Sequence, residues 1–311
     1  MDPGPIGSTT SVHLAIVGPT AVGKSALALG VAEALGGTEI VSVDSMQVYR
    51  GLDVGTASPS AAERARVAHH LVDVADPSED WSVARFQAAA RAAVADVGSR
   101  GRRALLVGGT GLYVRAVVDD LRFPGQDLAV RAALEARAAN PAGLAALHAE
   151  LVERDPVAAS RTEPGNARRI VRALEVMAIT GEPFSASGAG LSTYGETVFP
   201  VRLLGIRCPL DVLDERIARR VDRMYADGLV DEARRVAVWS RTAAQAIGYA
   251  EARAVAAGEC SEADARAVTV ARTRRFARRQ LRWFRRDPRI TWLESPEPDA
   301  LLPTLLECCR G

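Results

Sequence analysis

The stretch HLAIVGPTAVGKS, residues 13–25, decides the fold. Its opening HLAIV is a short, mostly apolar run that ends at Gly-Pro, which predicts a buried strand stopping at a loop. Residues 18–25 fit GxxxxGK[ST], the pattern of a phosphate-binding P-loop placed between a strand and a helix. Small and apolar residues recur at helical spacing from Lys24 to Leu35, and Gly36-Gly37 ends this helix. The motif therefore has the strand–loop–helix context that it requires.

A P-loop holds a diphosphate, or a nucleotide such as ATP, because its backbone N–H groups surround the phosphates and the helix N-terminus adds partial positive charge. Lys24 is the only lysine of the chain, which suggests that a compact ammonium does something there that arginine cannot. The Ser25 hydroxyl is the expected ligand of Mg²⁺, the predicted cofactor. The predicted diphosphate-binding residues are Gly18, Pro19, Thr20, Ala21, Val22, Gly23, Lys24 and Ser25.

Further apolar runs predict strands at 39–43, 103–107, 201–206 and 290–293. Strands that alternate with helices indicate a parallel sheet wrapped by helices. The predicted fold class is therefore α/β, with a P-loop NTPase-like parallel sheet.

The middle of the chain has a different pattern. Residues 121–198 contain helical stretches interrupted by prolines and no convincing strand, which predicts a mostly helical insertion domain that ends in a linker at 188–195. The catalytic core then comprises 13–120 and 199–311, and residues 1–12 are predicted to be a disordered tail.

The composition is that of an ordinary globular protein, with 48% hydrophobic and 25% charged residues and a net charge of +1. Any surface for a polyanion must therefore be local. No apolar run approaches the roughly eighteen residues of a membrane span, and the N-terminus lacks a secretory pattern. We expect a cytoplasmic protein with no membrane partner, acting as a monomer. The four cysteines show no CxxC spacing and are expected to be inert.

Asp44 directly follows the second predicted strand. Ligands of a doubly wound sheet bind at the carboxyl ends of its strands, so Asp44 is expected to face the P-loop. It is either a general base for an attacking nucleophile or a turn aspartate, and position alone does not decide between the two. The strand at 103–107 is followed by Gly108-Gly109-Thr110-Gly111 and not by a Walker-B carboxylate, which argues against nucleotide hydrolysis.

Residues 266–286 contain nine arginines and no acidic residue, with aromatic residues interleaved. Because such a run has no acidic partner nearby in the sequence, we favour a nucleic-acid surface over a solvated helix face. Arg168, Arg169 and Arg172 form a second basic patch, for which a solvated face is an equally good interpretation. His69-His70 has no carboxylate or cysteine at metal-ligand spacing, so we interpret the pair as structural.

Longer motifs extend beyond the P-loop. They are GPTAVGKS (18–25), VDSMQVYRGLDVGTASP (43–59), HHLVDVADPSEDWSVARF (69–86), LLVGGTGLYVRA (105–116), DPVAASR (155–161), RRIVRALEV (168–176), QAIGYAEA (245–252) and ARRQLRWFRR (277–286). In these motifs and their order the chain resembles the tRNA dimethylallyltransferase family, also called tRNA isopentenyltransferases. The family often has a basic residue where Ala250 stands, and Tyr and Thr where Phe276 and Arg282 stand.

The resemblance implies transfer of a dimethylallyl group from dimethylallyl diphosphate to N6 of the adenosine beside the anticodon (tRNA position 37), with release of diphosphate. It also implies that the insertion domain binds the anticodon stem. An allylic diphosphate ionises towards a carbocation once its leaving group is stabilised, and the target base must leave its stack to reach the reaction channel.

The same resemblance implies roles for individual residues. Asp44 would be the general base, Thr110 would line the reaction channel, and Arg220 would help to bind the donor diphosphate. The implied tRNA contacts are Asp44, Ser45, Met46, Gln47, Thr110, Arg131, Arg168, Arg169, Ile170, Val171, Arg172, Gln245, Gly248, Tyr249, Arg279, Gln280, Arg282, Trp283, Arg285 and Arg286.

Three other functions compete with this one. A prenyltransferase acting on free adenine nucleotides would share the P-loop and Asp44 but would not need two arginine patches. A P-loop small-molecule kinase fits the missing Walker-B carboxylate. A non-enzymatic RNA-binding module would leave the complete P-loop, with its single lysine, without a purpose.

Overall fold

A computed structural model of the chain describes residues 12–187 and 193–310. The predicted disordered tail lies outside these ranges except for Val12, and so do residues 188–192 of the predicted linker. Contacts divide the chain into two compact units. The larger comprises Met1–Asp119 and Glu196–Gly311, and the smaller is Asp120–Gly195.

Within the described residues, the larger unit contains a six-stranded sheet. The strands are β1 (His13–Val17), β2 (Thr38–Ser42), β3 (His69–His70), β4 (Arg103–Gly108), β5 (Val201–Arg207) and β6 (Thr291–Glu294). Their order is β3-β2-β4-β1-β5-β6, and every neighbouring pair is parallel. The predicted α/β class with a parallel sheet is confirmed.

Helices follow most of the strands and also form the smaller unit. They are α1 (Lys24–Leu35), α2 (Asp53–Thr56), α3 (Ala61–Arg66), α4 (Val83–Ser99), α5 (Gly111–Val118), α6 (Leu128–Arg137), α7 (Pro141–Arg154), α8 (Pro156–Ser160), α9 (Ala167–Thr180), α10 (Phe184–Ser187), α11 (Leu210–Ala226), α12 (Leu229–Arg235), α13 (Tyr249–Ala256), α14 (Glu262–Phe284) and α15 (Leu302–Arg310). None of these helices is long and apolar enough to cross a membrane.

The central strands are buried on both faces, as the apolar runs predicted. Along β1, Ala15 and Val17 belong to one apolar cluster, whereas Leu14 and Ile16 belong to a second one. Side chains of a strand point alternately to opposite faces, so the two clusters are the helix-covered layers on either side of the sheet. This double burial fixes β1 and positions the loop that follows it.

The short edge strand β3 was missed by the sequence analysis, because two histidines carry no apolar run. His70 of this strand lies 2.7 Å from the carboxylate of Glu39, measured from Nε2 to Oε2. Glu39 is buried on β2, and hydrogen bonds from Arg100 above all, then from His70 and Arg102, lower its pKa to about 2. This charge cluster gives His70 a structural role at the edge of the sheet, whereas Nδ1 of His69 lies 2.8 Å from the carbonyl oxygen of Val67.

Among its described residues, the smaller unit contains the helices α6 to α10, joined by loops, and no strand. Its core contains Leu147 and Leu151 of α7 together with Ile170 and Leu174 of α9. The apolar residues of α7 and α9 recur four apart, so each helix presents one continuous apolar stripe to the other.

Candidate active site

The P-loop adopts the conformation that its glycines permit. Gly23 is the N-cap of α1 with φ 101°, in the left-handed region that a side chain would strain. Gly18 has φ 150°, and a Cβ at this position would lie 2.4 Å from the carbonyl oxygen of Ile206. Because glycine lacks a side chain, Gly23 cannot cap the first N–H groups of α1, so they remain available to an anion.

Lys24 extends back along the loop, and its Nζ donates a hydrogen bond of 2.7 Å to the carbonyl of Pro19. Desolvation in the pocket wall lowers the pKa of Lys24 to about 8, Asp44 opposes that shift, and the like charge of Arg220 adds to it. The ammonium thus lies between an acidic and a basic neighbour. A bound diphosphate would raise its pKa and so favour the charged form.

Arg220, on α11, reaches the P-loop directly. One of its terminal nitrogens donates a hydrogen bond of 2.9 Å to the hydroxyl of Thr20. Burial lowers the pKa of Arg220, but a guanidinium keeps its charge under all ordinary conditions. The predicted donor residues Thr20, Lys24 and Arg220 therefore meet in one place.

These residues line an open pocket of about 1440 Å³. Ser25, Asp44 and Gly109 line it as well, so it lies at the carboxyl ends of β1, β2 and β4. That position agrees with the general rule for ligand sites in parallel sheets. The pocket is large enough for a diphosphate with an organic group attached.

The two carboxylate oxygens of Asp44 have different surroundings. Its Oδ1 accepts a hydrogen bond of 2.8 Å from the backbone N–H of Met46, which is the bond of a turn aspartate. Its Oδ2 has no hydrogen-bond partner within residues 12–187 and 193–310. One oxygen therefore shapes the turn, while the other is free to accept a proton in the pocket.

Thr110 lies at the start of α5, directly after the glycines that end β4. As the N-cap of α5 it makes no side-chain capping hydrogen bond. Its hydroxyl oxygen lies 3.5 Å from that of Ser45, the residue after Asp44. The predicted base and the predicted channel residue thus belong to neighbouring loops.

Three more arginines of the pocket wall were not predicted from the sequence. Arg216, Arg219 and Arg223 line it together with Arg220. Their spacing of three and four residues places all of them on one face of α11. That spacing was visible in RIARRVDR (residues 216–223), so the pattern itself could have identified them.

Several of the residues predicted to contact tRNA are buried in the larger unit. Tyr249 is 1% exposed, and its hydroxyl donates a hydrogen bond of 2.6 Å to the buried Glu232. Gln280 is 6% exposed, with both amide atoms bonded to backbone groups. Gly248 is also buried, whereas Gln245 is exposed. The side chains of Tyr249 and Gln280 thus bond within the protein, and Gln280 also lines the pocket. Contact of Tyr249 and Gln280 with tRNA stays a prediction.

In the smaller unit, some of the residues predicted to contact tRNA are paired or buried, and others are exposed. Arg131 donates a hydrogen bond of 3.1 Å to the buried Glu175, and Arg172 donates one of 2.8 Å to the same carboxylate. Ile170 and Val171 belong to the apolar core of this unit. Arg131 and Arg172 are half-buried, whereas Ile170 and Val171 are buried, and tRNA contact by any of the four stays a prediction. Arg168 and Arg169 are exposed.

The arginine-rich segment is the helix α14. The expectation that this run has no acidic partner nearby in the sequence is wrong for Arg266, which pairs with Glu262 of the same helix at 2.6 Å. Further acidic partners come from other helices. Arg278 pairs with Asp214 at 2.7 Å, Arg266 pairs with Asp222 at 3.3 Å, and Arg272 pairs with Glu251.

Other arginines of this region keep their charge available. The exposed side chains of Arg282, Arg285 and Arg286 form no ion pair with any residue that the structure describes. Arg279 is also exposed and packs over the ring of Phe276.

Metal binding here would depend on the substrate. Among the described residues there is no cluster of three His, Cys, Asp or Glu side chains that could hold a metal ion. Ser25 and Asp44 nevertheless supply oxygen donors to the same pocket. Mg²⁺ prefers oxygen ligands and is commonly bound by one or two protein groups together with substrate phosphates. The residues present fit that mode.

Comparisons with known proteins agree on one family. The family model described as IPP transferase matches residues 47–287, and the one described as isopentenyl transferase matches residues 10–73. The tRNA dimethylallyltransferase of Salinispora arenicola is 54% identical over 91% of this chain and 82% of its own length. That of Kineococcus radiotolerans is 53% identical over 91% of both chains.

Solved structures give the same result. The tRNA isopentenylpyrophosphate transferase of Bacillus halodurans has a TM-score of 0.68 and 38% identity, covering 97% of this chain and 96% of its own. A eukaryotic dimethylallyltransferase acting on tRNA has a TM-score of 0.75 and 25% identity, covering 91% of this chain and 74% of its own.

Proposed function

This chain belongs to the IPP transferase family, and we propose that it transfers a dimethylallyl group from dimethylallyl diphosphate to an adenine of tRNA. The observation that carries the proposal is the meeting of Thr20, Lys24, Arg220 and Asp44 at one pocket. Three of these residues suit a diphosphate, and the fourth suits the proton of an attacking amine.

The donor diphosphate binds in the P-loop. Backbone N–H groups at the start of α1, the ammonium of Lys24 and the guanidinium of Arg220 stabilise the negative charge that grows as the diphosphate leaves. The Ser25 hydroxyl would help to hold Mg²⁺, which would supply further positive charge to the leaving group.

The bond between the allylic carbon C1 and the diphosphate oxygen breaks, and its electron pair goes to the diphosphate. The lone pair of adenine N6 then forms the new C–N bond to C1. The N6 proton passes to Oδ2 of Asp44, whose other oxygen holds the turn in place. The products are prenylated adenine and free diphosphate, so atoms and charge balance.

The acceptor is proposed to be the adenosine beside the anticodon, reached by withdrawing the base from its stack. The exposed arginines at the end of α14 and directly after it suit the phosphates of an RNA backbone; they are Arg279, Arg282, Arg285 and Arg286. We assign anticodon-stem contacts to the exposed Arg168 and Arg169 of the smaller unit. The enzyme is proposed to act as a monomer in the cytoplasm.

Incubation with radiolabelled dimethylallyl diphosphate, Mg²⁺ and either tRNA or AMP tests this function. We expect label in tRNA and none in AMP. Label in AMP alone would support the free-nucleotide prenyltransferase. A matched incubation with γ-labelled ATP addresses the kinase, which would transfer phosphate to a small acceptor and leave the allylic donor unused.

A further inference from the structure

The amide of Gln280 joins two loops that are far apart in sequence. Its Oε1 accepts a hydrogen bond of 2.9 Å from the backbone N–H of Thr20, in the P-loop. Its Nε2 donates one of 2.8 Å to the carbonyl of Gly109, after β4. A side-chain amide can accept and donate at the same time, which neither a carboxylate nor an ammonium can do.

The fit around this amide is tight. A Cβ at Gly109 would lie 2.4 Å from Nε2 of Gln280 and 3.1 Å from the carbonyl oxygen of Gly18. The absence of a side chain at Gly109 therefore allows the two loops to approach closely, with the amide between them.

The residue after Gly109 is Thr110, whose hydroxyl faces that of Ser45. On its other side, a Cβ at Gly111 would lie 2.1 Å from the ring of Trp283, which is one turn along α14 from Gln280. The helix α14 thus holds the chain on both sides of Thr110, while Gln280 also holds the P-loop.

We propose that Gln280 is a positioning residue that sets the spacing between the donor diphosphate, held by the P-loop, and the acceptor adenine, received beside Thr110 and Asp44. It does so from the buried face of a helix whose exposed face carries Arg279 and Arg282. This inference rests on the proposed function, because it assigns donor and acceptor to the two loops.

Spacing matters in this reaction because the allylic cation has two fates. It is captured by adenine N6, or by water to give dimethylallyl alcohol, with the water proton released to solvent. A misplacement of about 1 Å can cost about a hundredfold in rate. A loosened site also admits water to a reactive centre. Loss of the Gln280 bridge should therefore slow transfer and raise the share of alcohol.

Two variants and a matched control test the proposal. Gln280→Met keeps the length of the side chain and removes both hydrogen bonds. Gln280→Glu, when ionised, keeps an acceptor for Thr20 but has no donor for Gly109, whereas the protonated acid has both. Gln87→Met is the control, since Gln87 donates a 2.7 Å hydrogen bond to the carbonyl of Ala116 and does not line the pocket.

The measurement is rapid-quench single turnover with radiolabelled dimethylallyl diphosphate at saturating tRNA, counting prenylated tRNA and dimethylallyl alcohol separately. For Gln280→Met we expect transfer to fall by about 10- to 100-fold, with a larger share of alcohol and a tRNA Kd within about twofold of the parent. The ratio of Gln280→Glu to parent rates should rise as pH falls. Gln87→Met should leave the product ratio unchanged.

Three results would overturn the inference. A weaker tRNA Kd with a parental rate at saturation would make Gln280 a tRNA contact. A loss of thermal stability with an unchanged product ratio in both Gln280 variants would make it a purely structural residue. If the parent enzyme forms no prenylated tRNA, the proposed function itself is wrong. That result appears in the parent enzyme, whereas the other two appear only in the variants.

Discussion

The hydroxyl of Tyr249 donates a hydrogen bond of 2.6 Å to Oε1 of Glu232, and both side chains are buried. The same carboxylate accepts hydrogen bonds from the backbone N–H groups of Asp53, Val54 and Gly55, at the start of α2. Burial above all, together with the charge of Glu232, raises the pKa of Tyr249. The phenol therefore stays protonated and acts as a donor that ties α13 to α12 and α2.

This relationship predicts a loss of stability with no loss of tRNA contact. Tyr249→Phe removes one donor to a buried charged acceptor, so we expect the free energy of unfolding to fall by about 1–3 kcal/mol. Thermal or urea unfolding measures the change. The tRNA Kd at a temperature where both proteins are folded should match the parent, and a marked increase in Kd would show that Tyr249 contacts tRNA.

The second prediction concerns the charge of Lys24. Its pKa of about 8 means that the ammonium of the free enzyme loses its proton as pH rises through 8. Diphosphate favours the charged form and raises that pKa, so binding should take up a proton above pH 8. Affinity for inorganic diphosphate should therefore fall as pH rises through this range.

Calorimetry of inorganic diphosphate binding at pH 8.5, in two buffers of different ionisation enthalpy, measures the proton uptake. Lys24→Arg is the matched control. Because its guanidinium stays charged, any proton gained or lost on binding to this variant is gained or lost by the ligand. We also expect this variant to transfer the prenyl group slowly, since a planar guanidinium replaces a compact ammonium in the loop. Equal proton uptake by the parent and the variant would contradict the assignment.

The third prediction compares two exposed arginines that lie one turn apart on α14. Arg278 pairs with Asp214 at 2.7 Å, whereas Arg282 forms no ion pair within the described part of the chain. Each phosphate contact contributes about 0.7–0.9 to the slope of log Kd against log salt. Arg282→Ala should therefore lower that slope by about one, and Arg278→Ala should lower it less.

Filter binding of tRNA at several salt concentrations gives both slopes. If Arg282→Ala leaves the slope of the parent unchanged, its side chain is only a solvated part of the helix. A further drop of about one in the double variant Arg282→Ala, Arg286→Ala would extend the contact to the turn that follows α14.

The sequence predicts those parts of the site whose residues interact with near neighbours along the chain. The P-loop and α1 follow from adjacent residues, and α1 begins and ends where the pattern predicted. Gln280 and its partner Thr20 are 260 residues apart, and nothing in RRQLRW distinguishes a buried amide from an exposed one. The motif thus located the right segment but not which of its faces is buried.

The acidic partners that other helices supply to the arginine run were also hard to predict, because they are distant in sequence. The arginine run contains no acidic residue, yet Asp214 of α11 and Glu251 of α13 pair with some of its members. These partners are supplied by the packing of separate helices, which the spacing within α14 cannot reveal. In contrast, the arginine face of α11 was visible as a helical repeat and was only partly identified, through Arg220.

The last prediction concerns Asp44, whose two oxygens have different surroundings. Oδ1 accepts from the N–H of Met46 at 2.8 Å, so an Asn carbonyl at this position can preserve the turn. Asn cannot take up a proton, and general-base assistance is worth about 10²–10⁴-fold in rate. Asp44→Asn should therefore lower single-turnover transfer by a factor in that range, with little change in donor affinity.

Rapid-quench kinetics at saturating tRNA and donor decides between the two roles of Asp44. Ser45→Ala is a useful comparison, because it alters the neighbouring hydroxyl, 3.5 Å from that of Thr110, and keeps the carboxylate. We expect a smaller loss of rate for Ser45→Ala than for Asp44→Asn, since only the latter removes a proton acceptor. The tRNA Kd of Asp44→Asn should weaken modestly, because an amine bonds more strongly to a carboxylate than to an amide. If Asp44→Asn transfers the prenyl group at close to the parent rate, Asp44 serves the turn alone and another group must accept the N6 proton.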